Sequence, residues 1–339
     1  MNGIGKKEFS LCDAYAARIS AQRPFPAETL ESLRAYYRVG LTYTSNALEG
    51  NSLTESETKV VIEDGLTVGG KPLRDVCEAT GHARAFDYLQ TLISNRRPLT
   101  EADILELHRL FYSQIDKEHA GVWRTVRVFL SGSRRVLPSP RDVPRLMAEF
   151  VAWMAENEAR RHPIEFAALV HQKFVFIHPF VDGNGRVGRL LMNFALLRAG
   201  WTPAIIPPVC RADYIAALDR AGRRPADFVR FVRDRVCETQ KELLRLLGLP
   251  TTLRDEGVKS GKDEGANEGV NDAAALLLSL IEAHPGLRTN QLAPLFGKSV
   301  KTIERHLRSL RSADKIVFRG APKNGGYFAV SPSGDNSGK

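Results

Sequence analysis

The stretch Ile177-His178-Pro179-Phe180-Val181-Asp182-Gly183-Asn184-Gly185-Arg186-Val187-Gly188-Arg189 decides how the rest of the chain is read. Before it, Ile164 to Ile177 is apolar at Phe166, Leu169, Val170 and Phe174, the spacing of a buried helix. Pro179 disfavours helical backbone at His178, so the imidazole is expected at a helix break. After it, Arg186 to Ala199 is apolar at Leu190, Leu191, Phe194, Ala195 and Leu197, and Gly200 sits where a C-terminal cap belongs. Gly183-Asn184-Gly185 opens this second helix with amides that can face an anion. Arg186 and Arg189 share one face of its first turn, where the helix dipole disfavours cations. A local rule broken in this way points to a functional site. Amides and guanidiniums hold phosphate oxygens, Asp182 can hold Mg²⁺ through one carboxylate, and His178 can take a proton near neutral pH. Asp-Gly-Asn-Gly can also be a plain turn. It lacks the ligand spacing and closing Glu of a calcium loop, and no Gly-Lys-Ser/Thr follows as in a P-loop.

The string His-Pro-Phe-x-Asp-Gly-Asn-Gly-Arg-x-x-Arg, complete at 178–189, resembles the signature of the Fic family. Upstream, Leu30, Leu33, Tyr36, Tyr37, Leu41 and Leu48 recur at helical spacing, ending in Ser45-Asn46-Ala47-Leu48-Glu49-Gly50-Asn51. Glu49 stands at a helix end, where the dipole disfavours an acid, although a lone Glu is ordinarily a solvated one. The string is similar to the Fic inhibitory motif, which implies an inhibitory helix over about 27–50. The resemblance implies that Glu49, with Ser45 in the motif, pairs with Arg189 and occupies the group meant for the γ-phosphate of ATP. It further implies a mainly α fold, a Fic-type helical bundle over 1–248. The bundle would carry ATP and Mg²⁺ as co-substrate and cofactor, and Asn193 and Tyr214 near the adenosine. Tyr214 reads equally well as a buried structural tyrosine.

The chain has 339 residues, 43% hydrophobic and 26% charged, a soluble globular composition with room for one large helical domain and a small second one. No apolar run reaches membrane-span length and the polar start lacks a signal-peptide core, so a cytoplasmic protein is expected, with no membrane partner. Cys12, Cys77, Cys210 and Cys237 form no CxxC and read as reduced thiols. A net charge of +9 suits an acidic partner such as a nucleotide or nucleic acid.

Residues 1 to about 25 carry little signal. Thr54/Glu57 has capping-box spacing for a helix ended by Gly65, a second helix covers Glu78–Leu92, and Thr100 caps Glu101–Tyr112. His82 and His108 on these helices read as structural. Val126–Leu130 and Arg134–Leu137 around Gly132 alternate as a β-hairpin over about 126–138. An isolated hairpin is marginal in water. The Fic resemblance supplies a role, a flap that lays a target segment over the site by strand addition, with Val136 and Leu137 touching the target. Helices from Arg211 and around Phe228 to Leu247 close the bundle.

Residues 249–271 interleave Gly with Asp and Glu and read as a flexible linker. Helices from Asp272, Thr289 and Ser299, then runs at Lys315–Arg319 and Tyr327–Val330, look like a winged helix-turn-helix, a small α+β domain over 272–332, before a disordered tail at 333–339. Nine Lys/Arg against four Asp/Glu give this domain a net +5, and Lys301, Arg305 and Arg308 share one face of the Ser299–Arg311 helix, an arrangement suited to DNA, although a solvated helix face carries the same residues and winged helices also contact proteins.

The leading expectation is a protein adenylyltransferase: His178 deprotonates a Tyr, Ser or Thr hydroxyl of a target protein, or of the chain itself, and AMP moves from ATP to that oxygen. The same site could instead remove AMP, or transfer another nucleotidyl or phosphoryl group. A third reading is a DNA-binding regulator whose Fic domain senses nucleotide. A homodimer is expected on family grounds alone.

Overall fold

The computed structural model describes residues 6–130, 135–251 and, in the tail, 277–278, 280–282, 285–296, 300–313, 315–319 and 325–330. The chain separates into two compact units, 1–254 and 255–339.

The larger unit is a helical bundle of α1 (Ser10–Ser20), α2 (Ala27–Ala47), α3 (Glu55–Lys59, continued by a wider turn to Asp64), α4 (Leu73–Asn95), α5 (Glu101–Tyr112), α6 (Val143–Asn157), α7 (Pro163–Ile177), α8 (Asn184–Arg198), α9 (Arg211–Ala221) and α10 (Pro225–Leu246). The starts of α3 and α5 are set by capping boxes, Thr54 with Glu57 and Thr100 with Asp103. The signature helices α7 and α8 lie at the centre and pack along each other. A Cβ at Gly188 would stand 2.9 Å from Val175 Cγ1, so glycine sets their separation. Phe86, Phe111, Phe174, Phe180 and Phe228 are fully buried around them. Each such side chain contributes roughly 2–3 kcal/mol of transfer free energy, and Phe180 carries the short 178–183 loop into this core against Phe174.

Two expectations are revised here. Cys12 and Cys237 are not free thiols: α1 packs on α10 and brings their Cα atoms to 5.3 Å, and the sulfurs form a disulfide. Cys77 and Cys210 are free. Segment 126–138 contains no strand among its described residues, and its expected turn at 131–134 lies outside them. Its two arms meet through the Arg124 guanidinium, which donates to the Val126 and Pro138 carbonyls in place of cross-strand amides.

In the smaller unit, helices Thr289–Phe296 and Val300–Ser312 bury Leu292, Ile303, Leu307 and Leu310 with Leu277, Ile281 and Ile316. Strands β1 (Ile316–Arg319) and β2 (Gly326–Ala329) pair antiparallel, Ile316 opposite Ala329. Tyr327 on β2 also exchanges backbone hydrogen bonds with Gly286 and Leu287. Arg305 and Arg308 are exposed on the face opposite the buried one. The Lys301 side chain, most of the expected linker and the expected tail at 333–339 lie outside the described residues. Among the described residues no helix is long and apolar enough to cross a membrane.

Candidate active site

The break between α7 and α8 is held by side chains buried beneath it. Asn184 Oδ1 accepts the Phe180 N–H at 2.9 Å while its Nδ2 donates to the Phe180 carbonyl at 2.9 Å. Its side chain is thus committed to shaping the loop, and only its amide is left for an anion. Gly183 takes φ +79°, and a Cβ there would meet Phe111 Cε1 at 2.8 Å, so both backbone and space call for glycine. His108, on α5, stacks on Phe180 with ring centroids 3.7 Å apart. Its Nδ1 accepts the Gly121 N–H and its Nε2–H donates to the Asp182 carbonyl at 3.1 Å. Burial holds this imidazole neutral, with its pKa pushed down to about 4. His108 is structural, as expected, but the structure it supports is the site loop.

His178 ends α7 in left-handed backbone, φ 52° and ψ 60°. Its Nδ1–H donates to the Val175 carbonyl at 3.3 Å, which leaves Nε2 with a free lone pair. The imidazole lines a cleft of about 480 Å³ together with Asp182, the Gly183–Arg186 turn, Glu49 and Tyr214. Burial lowers its pKa, so it is neutral and ready to accept a proton at pH 7.

Both signature arginines are buried, each held by different partners. Arg189 donates from Nε to Ser45 Oγ at 2.9 Å, from Nη2 to the Ser45 carbonyl at 2.8 Å and to Glu49 Oε1 at 2.8 Å, and from Nη1 to Tyr214 Oη at 3.2 Å. Tyr214 donates onward to His171 Nε2 at 3.0 Å. Tyr214 therefore lines the cleft but spends its hydroxyl on Arg189. Glu49 lies directly over the start of α8, so close that a Cβ on Gly185 would collide with its carboxylate. It thus occupies the anion position at that helix terminus. Burial works to raise its pKa, but the charge and hydrogen bond of Arg189 outweigh it and hold Glu49 ionised below the ordinary range.

Arg186 lies over the Phe111 ring, 4.5 Å from its centroid, with Nη1 2.8 Å from Glu78 Oε1 and Nη2 3.4 Å from Asp182 Oδ1. Glu78 is buried and is also met by Arg74 and Asn51. Asp182 accepts the Gly183 N–H at Oδ1 and faces Arg74 at 3.0 Å and Tyr112 Oη at 3.4 Å with Oδ2. Burial tends to raise its pKa, but Arg186, the Gly183 amide and Arg74 prevail and keep it ionised. Its side chain is 42% open, so a cation can reach it.

Asn193 does not join this cleft. Its amide clasps Ala204, accepting the Ala204 N–H at 2.8 Å, because α8 turns it towards the segment 201–206 behind Arg189. Asn193, expected near the adenosine, is therefore not among the residues that line the cleft. Val136 is 92% exposed and Leu137 half-buried at the arm of 126–138; neither lines the cleft, whereas Phe129, Leu130 and Arg135 of the same segment do. Sequence reasoning missed Glu78, Arg74 and Arg124. Arg74, Glu78 and His82 recur every four residues along α4, and that spacing could have exposed a polar stripe facing α8.

Residues 98–196 match the Fic/DOC family. Protein adenylyltransferase Fic of Nematostella vectensis is 43% identical over 195 residues, covering 56% of this chain and 45% of that protein. The chain therefore spans less than half the length of this curated relative. Among solved structures, Fic-1 from C. elegans is 31% identical with a TM-score of 0.63, covering 72% of each chain. A Fic domain containing signaling protein from Bacteroides thetaiotaomicron is 28% identical with a TM-score of 0.64, covering 72% of this chain and 99% of that one. Sequence signature, bundle and relatives agree, and the chain belongs to the Fic family.

Proposed function

We propose that this chain is a protein adenylyltransferase held back by Glu49. The observation that carries the reading is the free Nε2 of His178 in a cleft lined by the start of α8 and Arg186, with Arg189 bonded to the Glu49 carboxylate that lines the same cleft. The name of the Nematostella relative supports the same chemistry. In the reaction, the α-, β- and γ-phosphates of ATP lie on the Asn184 and Gly185 amides, Arg186 and Arg189, and the Gly183 amide joins them only on leaving Asp182 Oδ1. His178 Nε2 takes the proton of a Tyr, Ser or Thr hydroxyl on the target. The freed oxygen attacks the α-phosphorus in line, the bond to the bridging oxygen breaks, and pyrophosphate leaves. Positioning and charge neutralisation by the arginines and amides supply most of the acceleration.

Asp182 would hold Mg²⁺. Among the described residues no three His, Cys, Asp or Glu side chains gather around a metal, but a single open carboxylate fits Mg²⁺, which takes its other ligands from phosphate and water. When bound, the ion neutralises phosphate charge. The exposed Arg74 has to release Asp182 Oδ2 first, and it keeps Glu78 as a partner when it does.

Glu49 acts as the brake because its carboxylate takes the place and the arginine that a terminal phosphate needs. Segment 126–138 seats the target, with Val136 and Leu137 among its contacts. The 272–332 unit is read as a winged helix that presents Arg305 and Arg308 to DNA phosphates, their exposure opposite the apolar face being the supporting observation.

The reading is tested by incubating the protein with α-labelled ATP, Mg²⁺ and a cell lysate. Glu49→Gly is expected to label a target, and Glu49→Gly/His178→Ala to label none. Label retained in the double variant removes His178 as the base. Since Glu49 shares the cleft with His178, it could instead orient a water that removes AMP; loss of AMP release in Glu49→Gly would favour that reaction.

A further inference from the structure

Arg124 stands outside the signature and does not line the cleft, yet it is 3% exposed. Its partners are all carbonyls. Nε donates to His178 O at 2.7 Å, Nη2 to Pro138 O at 2.7 Å, Nη1 to Val126 O at 3.1 Å, and its backbone N–H to Pro179 O at 2.8 Å. No carboxylate forms a salt bridge with it among the described residues. A buried cation without a counter-charge is costly, and a well-packed neutral residue would ordinarily be the more stable choice. The three carbonyls taken by the guanidinium come from three separate stretches: the His178 loop and the two arms of 126–138. Each carbonyl is met by a different nitrogen of the guanidinium, a spread of donors that the three hydrogens on a single lysine nitrogen cannot reproduce.

We propose that Arg124 is a positioning residue that fixes His178 relative to the arms 126–130 and 135–138, so that a target hydroxyl seated on those arms meets Nε2. This rests on the adenylyltransferase reading and adds the residue that ties its target-seating and proton-accepting parts together. Arg124 touches neither the nucleotide site nor the reacting atoms. Its loss should therefore lower turnover and leave nucleotide affinity alone.

The test compares Arg124→Met and Arg124→Lys with the parent in the full-length chain. First, the His178 imidazole is titrated by NMR without nucleotide. The charged groups acting on it are the carboxylates of Asp182 and Glu49, which favour its protonation, and the guanidinium of Arg124, which opposes it. Arg124→Met should raise its midpoint by about half a unit or more, because a cation is lost and water gains access. Arg124→Lys, which keeps the charge, should stay close to the parent. Second, in the Glu49→Gly background, both variants should label lysate protein at least about tenfold more slowly at saturating ATP, as expected of a lost positioning contact. Binding of a fluorescent ATP analogue should stay within twofold. An unmoved midpoint in Arg124→Met, or an unchanged labelling rate, overturns the proposal. If Glu49→Gly with Arg124 intact labels nothing, the adenylyltransferase reading fails, and the imidazole titration still decides the position of Arg124.

Discussion

Replacing Glu49 by glycine or glutamine should release the site, and the size of the effect follows from the contact. The carboxylate takes one charge-assisted hydrogen bond from Arg189 Nη2 at 2.8 Å and keeps 36% of its side-chain surface open. Buried bonds to charged groups are worth about 1.5–3 kcal/mol and exposed ion pairs about 0.2–1 kcal/mol, so this half-open clasp contributes about 1–2 kcal/mol. That energy corresponds to a roughly 5- to 30-fold change in the population of free Arg189, and to a similar gain in transfer rate at ATP well below saturation. Glutamine loses the charge but keeps the shape, and should fall between parent and glycine. The assay is initial-rate labelling with α-labelled ATP and Mg²⁺, with nucleotide affinity measured in parallel. The pH dependence has a definite sign. Glu49 titrates below the ordinary carboxylate range, so its pairing is present above that range and is lost only as pH falls through its lowered pKa. The parent should therefore stay restrained between pH 5 and pH 8. Equal rates for parent and Glu49→Gly within twofold, or release of the parent near pH 5.5, would refute the reasoning.

Gly183→Ala should destabilise the larger unit by about 2–4 kcal/mol, from left-handed backbone and a contact 2.8 Å from Phe111 Cε1; a denaturant-midpoint shift worth under about 1 kcal/mol would contradict this. Asp182→Asn keeps an acceptor for the Gly183 N–H but loses the charge, so in the Glu49→Gly background it should raise half-saturating Mg²⁺ while metal-free nucleotide binding persists. An unchanged Mg²⁺ requirement would exclude Asp182 as a ligand. Arg305→Glu with Arg308→Glu in the full chain should weaken binding of duplex DNA and flatten its salt dependence by a slope of about 2. A parent chain that binds no duplex at low salt removes the DNA reading.

Much of the fold was legible because it depends on local pattern. The helices 27–47, 101–112, 163–177 and 184–198 carry apolar residues at helical spacing, with visible stops at Gly50 and Gly200 for the first and last. The helices 10–20 and 143–157 stand outside that local reading. The first buries only Cys12, Tyr15 and Ile19, too narrow a stripe to stand out before α10 is packed against it. Segment 126–138 carries a true alternation, yet its described arms are held by Arg124 in place of a ladder. Period-two patterning reports two faces and says nothing about what satisfies the backbone.

By itself, the sequence determined that this chain is a helical Fic-family bundle with a basic second unit, and that His178, Asp182, Arg186 and Arg189 come together, because all four lie within twelve residues of one helix–loop–helix. Only the tertiary structure decided what those four touch. Glu49 reaches Arg189 across 140 positions, Arg124 reaches the His178 carbonyl across 54, and Asn193 turns away to Ala204. Cys12 and Cys237 meet across 225 positions. Such pairings depend on how whole helices pack, and no local periodicity encodes the direction in which a single side chain finds its partner.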